Sequence, residues 1–199
     1  QAGTINPLML LDEVDKLSKS FQGDPSSALL EVLDAEQNST FRDHYVELDY
    51  DLSEVFFICT ANSIDTIASP LRDRMEIIQL SSYTGLEKKH IALEHLLEKQ
   101  KKRHGLKKDQ FTLSEDAAEQ IIAHYTKEAG VRQLERVIGS LCRKAVKAIV
   151  AKEKTSLCVT AEQLEELLGA KKFLFDPIYD TPQIGIVRGL AWTQLGGDT

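Results

Sequence analysis

The sequence predicts an α/β region of parallel strands followed by an all-α region. Continuous apolar runs at residues 5–11, 55–60 and 76–80 are typical of strands that are covered on both faces of a parallel sheet. Apolar residues then recur at helical spacing from about residue 85 to residue 168. The 199 residues are 42% hydrophobic and 28% charged, which indicates a globular protein of one sizeable domain or two small ones.

A helix is predicted between the first two strands. Asp24 is a favourable N-cap, and Pro25 suits the first helical position because its missing N–H is not needed there. The segment SSALLEVLDA then places its apolar residues on one side of the helix. A strand, a helix and a second strand in this order are typical of a parallel α/β unit.

After residue 80 the pattern predicts helices. Thr84 and Glu87 form a capping box that opens a helix over residues 85–103, and residues 104–110 form a loop. Ser114 opens a second helix that runs to about Glu128, and Gly130 is expected to end it in a left-handed conformation.

A third helix begins at residue 131 and keeps apolar spacing over nearly six turns. A short strand at residues 156–160 leads to a second capping box, Thr160 with Gln163, and to a last helix that ends at Leu168. We therefore predict three parts: a strand-rich region at 1–81, a helical region at 82–170, and a segment at 171–199.

Charge and cysteine content limit the class of protein. The net charge of −7 argues against a broad nucleic-acid surface, and no apolar run approaches the length of a membrane span. The three cysteines are far apart and odd in number, as expected of reduced intracellular thiols. The first residues lack the features of a signal peptide, and both ends of the chain are expected to be cuts through a larger protein.

Carboxylates follow the first predicted strand directly. Ligands of open parallel sheets gather at the carboxyl ends of the strands, where Asp12 and Glu13 are placed. An aspartate there can hold Mg²⁺ through water, and a glutamate can activate a water that attacks a phosphate. The alternative is that Asp12 caps a turn while Glu13 and Asp15 are solvated.

Two further polar features follow in the order that phosphate chemistry needs. Asn62 ends the second strand, where its amide can hold the attacking water or a terminal phosphate, although asparagine is also a common turn residue. Arg72 and Arg74 precede the third strand, where an exposed arginine can reach a phosphate in a neighbouring subunit or form an ordinary salt bridge.

These features resemble a known family. The series LLDEVDK, ICTAN, SPLRDRME and GVRQLER is similar to the AAA+ ATPase module of the Lon family of ATP-dependent proteases. The strings QGDPSSALLEVLDAEQNSTFRDHY and GLAWTQLGGD are similar to Lon proteins in particular. The resemblance covers nearly the whole chain. It implies the C-terminal half of an AAA+ α/β subdomain, a helical small subdomain, and the first strand or strands of a proteolytic domain.

The resemblance also implies a role for each matching residue. Asp12 and Glu13 belong to the Walker B motif, in which Asp12 supports Mg²⁺ and Glu13 activates water. Asn62 matches sensor 1, and Arg74 matches the arginine finger that serves the next subunit. Arg132 matches sensor 2, which touches the nucleotide.

A substrate contact is implied at Phe21, which lies in the position of the second pore loop. An exposed aromatic residue on a polar loop can pack on almost any side chain of an unfolded polypeptide. The alternative from the residues alone is that Phe21 packs onto its own domain.

The family implies ATP or ADP with Mg²⁺, a homo-hexamer, and unfolded protein substrates that are passed to a Ser–Lys proteolytic site. It implies a cytoplasmic protein, with the mitochondrial matrix as the alternative, and no membrane contact. The Walker A pattern G-x-x-x-x-G-K-[ST] does not occur in these residues, and neither do the first pore loop and the Ser–Lys pair. Without the phosphate loop, the chain by itself is expected to bind nucleotide weakly or not at all and to be inactive as an ATPase.

Two other functions compete with this one. The helical region 82–170 can be a binding module for a substrate protein or for DNA, or the chain can belong to an AAA+ motor that acts on DNA. The basic run KQKKRHGLKK at 99–108 is either a solvated helix end or a nonspecific contact to nucleic-acid phosphates. The continuation into GLAWTQLGGD favours the protease.

Overall fold

A computed structural model of the chain describes residues 3–17, 24–43, 45–174, 184–185, 187, 189, 191–193 and 196–198. The chain divides into two compact units, residues 1–79 and 80–199. The predicted class, α/β followed by helices, is confirmed. Phe21 lies outside the described residues.

The first unit contains four strands and two helices in the described part of the chain. They are β1 (Leu8–Leu11), α1 (Pro25–Leu33), β2 (Phe41–Arg42), β3 (Asp49–Tyr50), β4 (Phe56–Cys59) and α2 (Ser69–Arg72), with 3-10 turns at Val14–Lys16 and Asn38–Thr40.

Strands β1 and β4 pair in parallel, as the two apolar runs predicted. Leu8 is paired with Phe56 and Leu11 with Cys59, so the two carboxyl ends meet at one edge. This sheet has two strands in the described residues. The expected burial of β1 on both faces is therefore wrong, because Leu8 and Leu10 are 63% and 60% exposed.

The prediction of a third strand at residues 76–80 is also wrong. This segment has no regular secondary structure, and Leu80 is 88% exposed. An apolar run becomes a strand only when a neighbouring strand accepts its backbone hydrogen bonds, and none of the described strands pairs with it.

Helix α1 begins where the sequence predicted. The Asp24 carboxylate accepts hydrogen bonds from the backbone N–H groups of Ser26 and Ser27, and Pro25 occupies the first turn. The helix ends at Leu33, so Asp34 is its C-terminal capping residue.

The second unit is mainly helical. Its elements in the described residues are α3 (Gly85–Ile91), a π-helical turn (Ala92–Leu96), α4 (Leu97–Arg103), β5 (Phe111–Leu113), α5 (Glu115–His124), α6 (Arg132–Val150), β6 (Leu157–Val159), a 3-10 turn (Ala161–Gln163), α7 (Leu164–Leu168), β7 (Ala191–Thr193) and β8 (Gly196–Asp198).

Both predicted capping boxes are present. Thr84 pairs with Glu87 at the start of α3, and Thr160 pairs with Gln163 ahead of α7. The helix predicted over 85–103 is also confirmed, although its middle turn is wound as a π-helix, which the spacing of apolar residues cannot reveal.

Two details of this unit differ from the prediction. Helix α5 ends at His124, and Gly130 is not in the left-handed region, so the glycine does not terminate that helix. Strand β5 was missed because its three residues are too few to show alternation; it pairs in parallel with β6, which was predicted.

The core of the second unit joins helices α5 and α6 to the β5–β6 pair. Phe111, Ile121, Ile138 and Leu141 are fully buried. These side chains come from three elements that are separated in sequence, so the unit has one continuous hydrophobic core.

No helix in the described part of the chain is both long enough and apolar enough to cross a membrane.

Candidate functional site

Thr60 ties the ends of β1 and β4 together. Its backbone N–H donates to the Leu11 carbonyl oxygen at 3.0 Å, and its carbonyl oxygen accepts from the Val14 N–H at 2.9 Å. Its hydroxyl donates to an oxygen of the Asp12 carboxylate. Asp12 is exposed at the carboxyl end of β1. The hydrogen bond from Thr60, which follows β4, fixes the orientation of its carboxylate.

Glu13 adopts a backbone conformation that is uncommon for a residue with a side chain. Its φ of 57° and ψ of 46° lie in the left-handed region. Its N–H donates to the Thr60 hydroxyl at 3.1 Å, which stabilises this turn. Strained backbone of this kind clusters at functional sites, where the surrounding structure holds it in place.

The Glu13 carboxylate pairs with Lys16. Lys16 Nζ lies 2.7 Å from Glu13 Oε2, and this hydrogen bond raises the pKa of the Lys16 amine. The Glu13 side chain is 49% exposed, and exposed ion pairs of this kind contribute little to stability. A water molecule can therefore replace Lys16 beside the carboxylate at little cost.

Asp15, for which the sequence offered only a turn or a salt bridge, connects the two strand ends. Its Oδ2 accepts a hydrogen bond from the backbone N–H of Asn62 at 3.2 Å. Its Oδ1 is buried and has no hydrogen-bond partner among the described residues. Asn62 is exposed, so Asp15 fixes its backbone and leaves its amide side chain facing outward.

Arg74 lies in the first unit, as Asp12 and Asn62 do, and its guanidinium is held by two hydrogen-bond acceptors. Its Nε and Nη2 donate to Asp34 Oδ2 at 3.1 and 2.8 Å, and its Nη1 donates to the Pro70 carbonyl oxygen at 2.9 Å. Arg72 precedes it as the last residue of α2. Asp34 was not identified from the sequence, because the two residues lie 40 positions apart.

Arg132 lies in the second unit, at the first position of α6. It lines a basic groove of about 570 Å³ between α4 and α6. The groove carries five lysine or arginine residues and one glutamate. Its lining residues are Lys99, Gln100, Arg103, His104, Arg132, Glu135, Arg136, Gly139 and Arg143.

Glu135 is the acidic residue of this groove. It lies 2.8 Å from Lys99 Nζ and accepts a hydrogen bond from Gln100 Nε2 at 2.7 Å. Its pKa is held below the ordinary value, chiefly by Lys99. The excess of cations makes the groove a surface suited to phosphate groups.

The basic run at 99–108 is not simply a solvated helix end. Lys101 is 6% exposed, and its amine donates to Glu98 Oε1 and to the Lys108 carbonyl oxygen. This lysine therefore anchors the loop after α4 and is not available to a ligand. Lys99 and Arg103 of the same run line the groove.

Glu128 positions the helix that carries Arg132. Its carboxylate accepts hydrogen bonds from the backbone N–H groups of Gln133 and Leu134, both at 2.8 Å. These are first-turn N–H groups of α6, which lack partners within the helix. This cap could not be predicted from the sequence, because Glu128 lies outside the usual capping position.

We expect Glu128→Ala to destabilise the second unit by about 1 kcal/mol, as other N-cap losses do. Thermal or urea unfolding of the chain measures this change. Glu153→Ala is the control, since Glu153 lies exposed beyond the end of α6. Equal stability of the Glu128 variant and the wild type would show that the cap is dispensable.

The donor set at the edge of β1 fits Mg²⁺ chemistry. Mg²⁺ is commonly held by one or two carboxylates together with waters and substrate phosphates, rather than by a cage of protein ligands. Asp12 supplies one exposed, oriented carboxylate. No group of three or more His, Cys, Asp or Glu side chains that could hold a metal ion occurs among the described residues.

Family comparisons match the chain in three successive stretches. The model described as "ATPase family associated with various cellular activities (AAA)" matches residues 1–83. "Lon protease AAA+ ATPase lid domain" matches residues 102–157, and "Lon protease (S16) C-terminal proteolytic domain" matches residues 158–199.

Curated relatives match over the full chain. It is 54% identical over 199 residues to Lon protease 1 of Bacillus subtilis (strain 168), covering 100% of this chain and 26% of the relative. It is 56% identical over 199 residues to the Lon protease of Brevibacillus choshinensis, again covering 100% of this chain and 26% of the relative. The chain thus spans about a quarter of the length of these relatives.

Solved structures support the fold. Two mutants of Thermotoga maritima RuvB align with TM-scores of 0.50 and 0.52, each at 16% identity. Each alignment covers 83% of this chain and 48% of the other. At this identity the likeness concerns the fold alone.

Proposed function

Because the chain belongs to the Lon protease family, we propose that it is the ATPase module of an ATP-dependent serine protease. The whole protein unfolds, translocates and degrades misfolded or regulatory proteins. One observation carries the proposal: an AAA match is followed by a lid match and then by a proteolytic match within one chain. This order favours the protease over a helical binding module and over a motor that acts on DNA.

The nucleotide lies against the edge formed by β1 and β4. Asp12, held by Thr60, would hold Mg²⁺ through water. Glu13 accepts a proton from the water that attacks the terminal phosphate, and the nucleoside diphosphate leaves as its bond to that phosphate breaks. Mg²⁺, when bound, supplies positive charge for the phosphate oxygens. Asn62 orients the same water or the phosphate, and its backbone is fixed by Asp15.

Two arginines are proposed as further nucleotide contacts. Arg74 serves the nucleotide of the neighbouring subunit in a homo-hexamer, and Arg132, the first residue of α6, contacts nucleotide in the role of sensor 2. The excess of cations beside Arg132 supports this role. Phe21 is proposed to grip the unfolded polypeptide.

The domain arrangement and the location follow from the same proposal. Residues 1–81 form part of the α/β subdomain, 82–170 the helical subdomain, and 171–199 the linker and first strands of the proteolytic domain. We assign the whole protein to the cytoplasm, with the mitochondrial matrix as the alternative compartment. A nonspecific DNA contact, if made, falls on the basic groove, where Lys99 and Arg103 can meet phosphates.

The experiment compares two substrates of the full-length protein, meaning this chain within a polypeptide of the length of its relatives. We expect a stably folded protein to be degraded only with hydrolysable ATP and Mg²⁺. A short unstructured peptide, which needs no unfolding, should be cleaved without hydrolysis. EDTA should stop ATP hydrolysis and degradation of the folded protein together. Equal degradation of the folded protein without hydrolysable ATP would refute the proposal.

A further inference from the structure

All three nitrogens of the Arg74 guanidinium donate a hydrogen bond within its own unit. Nε and Nη2 both donate to a single oxygen, Asp34 Oδ2, and Nη1 donates to the Pro70 carbonyl oxygen. Asp34 directly follows α1, whereas Arg74 follows α2, so this contact joins the ends of two helices. The proposed arginine finger therefore has a built support within its own subunit.

Asp34 is itself held in place. Its Oδ1 accepts a hydrogen bond from the Glu36 N–H at 3.0 Å, and its backbone carbonyl accepts from Gln37 and Asn38 at 3.1 and 2.8 Å. Its side chain is 14% exposed, against 34% for Arg74. The hydrogen bond from Arg74 holds the pKa of the Asp34 carboxyl below its ordinary value, so the carboxylate is charged at neutral pH. A fixed anion thus orients a more exposed cation.

The anchoring leaves part of the guanidinium available. An arginine side chain has five N–H donors in a rigid plane. Three are used by Asp34 and Pro70, which leaves one N–H on Nη1 and one on Nη2. Two N–H groups on the terminal nitrogens suit a phosphate, which arginine binds through paired hydrogen bonds.

We propose that Asp34 is a positioning residue for ATP hydrolysis, which holds Arg74 in the orientation that meets the phosphate of the neighbouring subunit. The inference rests on the proposed role of Arg74. A free arginine has many rotamers, and ordering it only in the transition state would raise the barrier. Asp34 and Pro70 order the guanidinium before the nucleotide arrives, so less entropy is lost at the reacting step.

Steady-state ATPase assays of the full-length protein test this role. We expect Asp34→Ala to lower kcat about tenfold or more, as the loss of an orienting partner does elsewhere, with little change in KM. Asp34→Asn should lose less, because its amide oxygen can still accept from Nε and Nη2. Asp73→Ala is the matched control: its carboxylate is next to Arg74 in sequence but makes no hydrogen bond or ion pair to any described residue.

The double variant Asp34→Ala/Arg74→Ala separates positioning from other roles. If Asp34 acts through Arg74, the double variant should be as slow as Arg74→Ala alone. A double variant that is much slower than Arg74→Ala would overturn the inference, since Asp34 would then have a separate role. A kcat for Asp34→Ala at or above that of the wild type would also overturn it, because Asp34 would then be restraining the arginine.

Two controls keep the outcomes distinct. If Asp34→Ala does not fold, Asp34→Asn decides: a kcat below wild type but above Arg74→Ala supports positioning, and one at or above wild type overturns it. If Arg74→Ala itself hydrolyses ATP at the normal rate, the proposed function of Arg74 fails. If Arg74→Ala is slow but both Asp34 variants are normal, only the inference about Asp34 fails.

Discussion

ATP hydrolysis by the full-length protein is expected to fall by 10²- to 10⁴-fold in Glu13→Gln, the range that general-base catalysis typically supplies. Glutamine keeps the shape of the side chain but cannot accept a proton from water. Nucleotide binding should remain, because the role proposed for Glu13 concerns the attacking water rather than the phosphates. Steady-state ATPase rates and fluorescent-nucleotide titrations measure the two effects separately.

The Glu13–Lys16 ion pair calls for a matched control. Glu13→Gln also removes the partner of Lys16, whose amine lies 2.7 Å from the carboxylate. Lys16→Gln breaks the same ion pair but leaves the carboxylate, so it should keep most of the ATPase activity. Equal losses in both variants would assign the effect to the ion pair, and a normal rate in Glu13→Gln would remove Glu13 from the mechanism.

The second large effect is expected for Arg74→Ala. An arginine finger stabilises the charge that develops on the transferred phosphoryl group and is worth roughly 10³- to 10⁵-fold in rate. An assembly in which every subunit carries Arg74→Ala should therefore lose nearly all ATPase activity, while its nucleotide affinity changes far less. Arg72→Ala is the control, since Arg72 lies two residues earlier at the end of α2.

Parallel loss of affinity and rate in Arg74→Ala would contradict a transition-state role. It would indicate instead that Arg74 contributes to nucleotide binding in the ground state. Thermal unfolding of the variant separates a folding defect from a catalytic one, because Arg74→Ala also removes the contact between the ends of α1 and α2. A loss of rate in a variant that stays folded at the assay temperature is catalytic.

Local chemistry explains which parts of the fold could be predicted. Asp24, Thr84 with Glu87, and Thr160 with Gln163 each satisfy N–H groups at a helix start within a few residues, so the signal is contained in the sequence. The parallel pairing of β1 and β4 followed from two apolar runs separated by a helix signal.

Elements that depend on distant partners were predicted less well. Residues 76–80 are as apolar as a strand, yet no described strand accepts their hydrogen bonds. Strand β5 exists because β6, more than 40 residues later, pairs with it. Gly130 matched a helix-ending pattern, but α5 had already ended at His124.

The candidate site shows the same division. Asp12, Glu13, Asn62, Arg74 and Arg132 stand within recognisable motifs, and their roles remain proposals. The residues that hold them were not visible in the sequence. Thr60 and Asp34 act across 48 and 40 positions, and Glu128 caps α6 from outside the usual capping position. Such contacts depend on tertiary structure, which neither periodicity nor motif spacing encodes.

The central claim is that each ATP site combines Glu13 of one subunit with Arg74 of the next. Co-assembly of Glu13→Gln and Arg74→Ala subunits tests it most directly. In a ring with head-to-tail contacts, random mixing at equal amounts gives about a quarter of the interfaces an intact Glu13 facing an intact Arg74. We predict ATPase activity well above that of either variant alone. Mixed assemblies that stay as inactive as the single variants would contradict the claim.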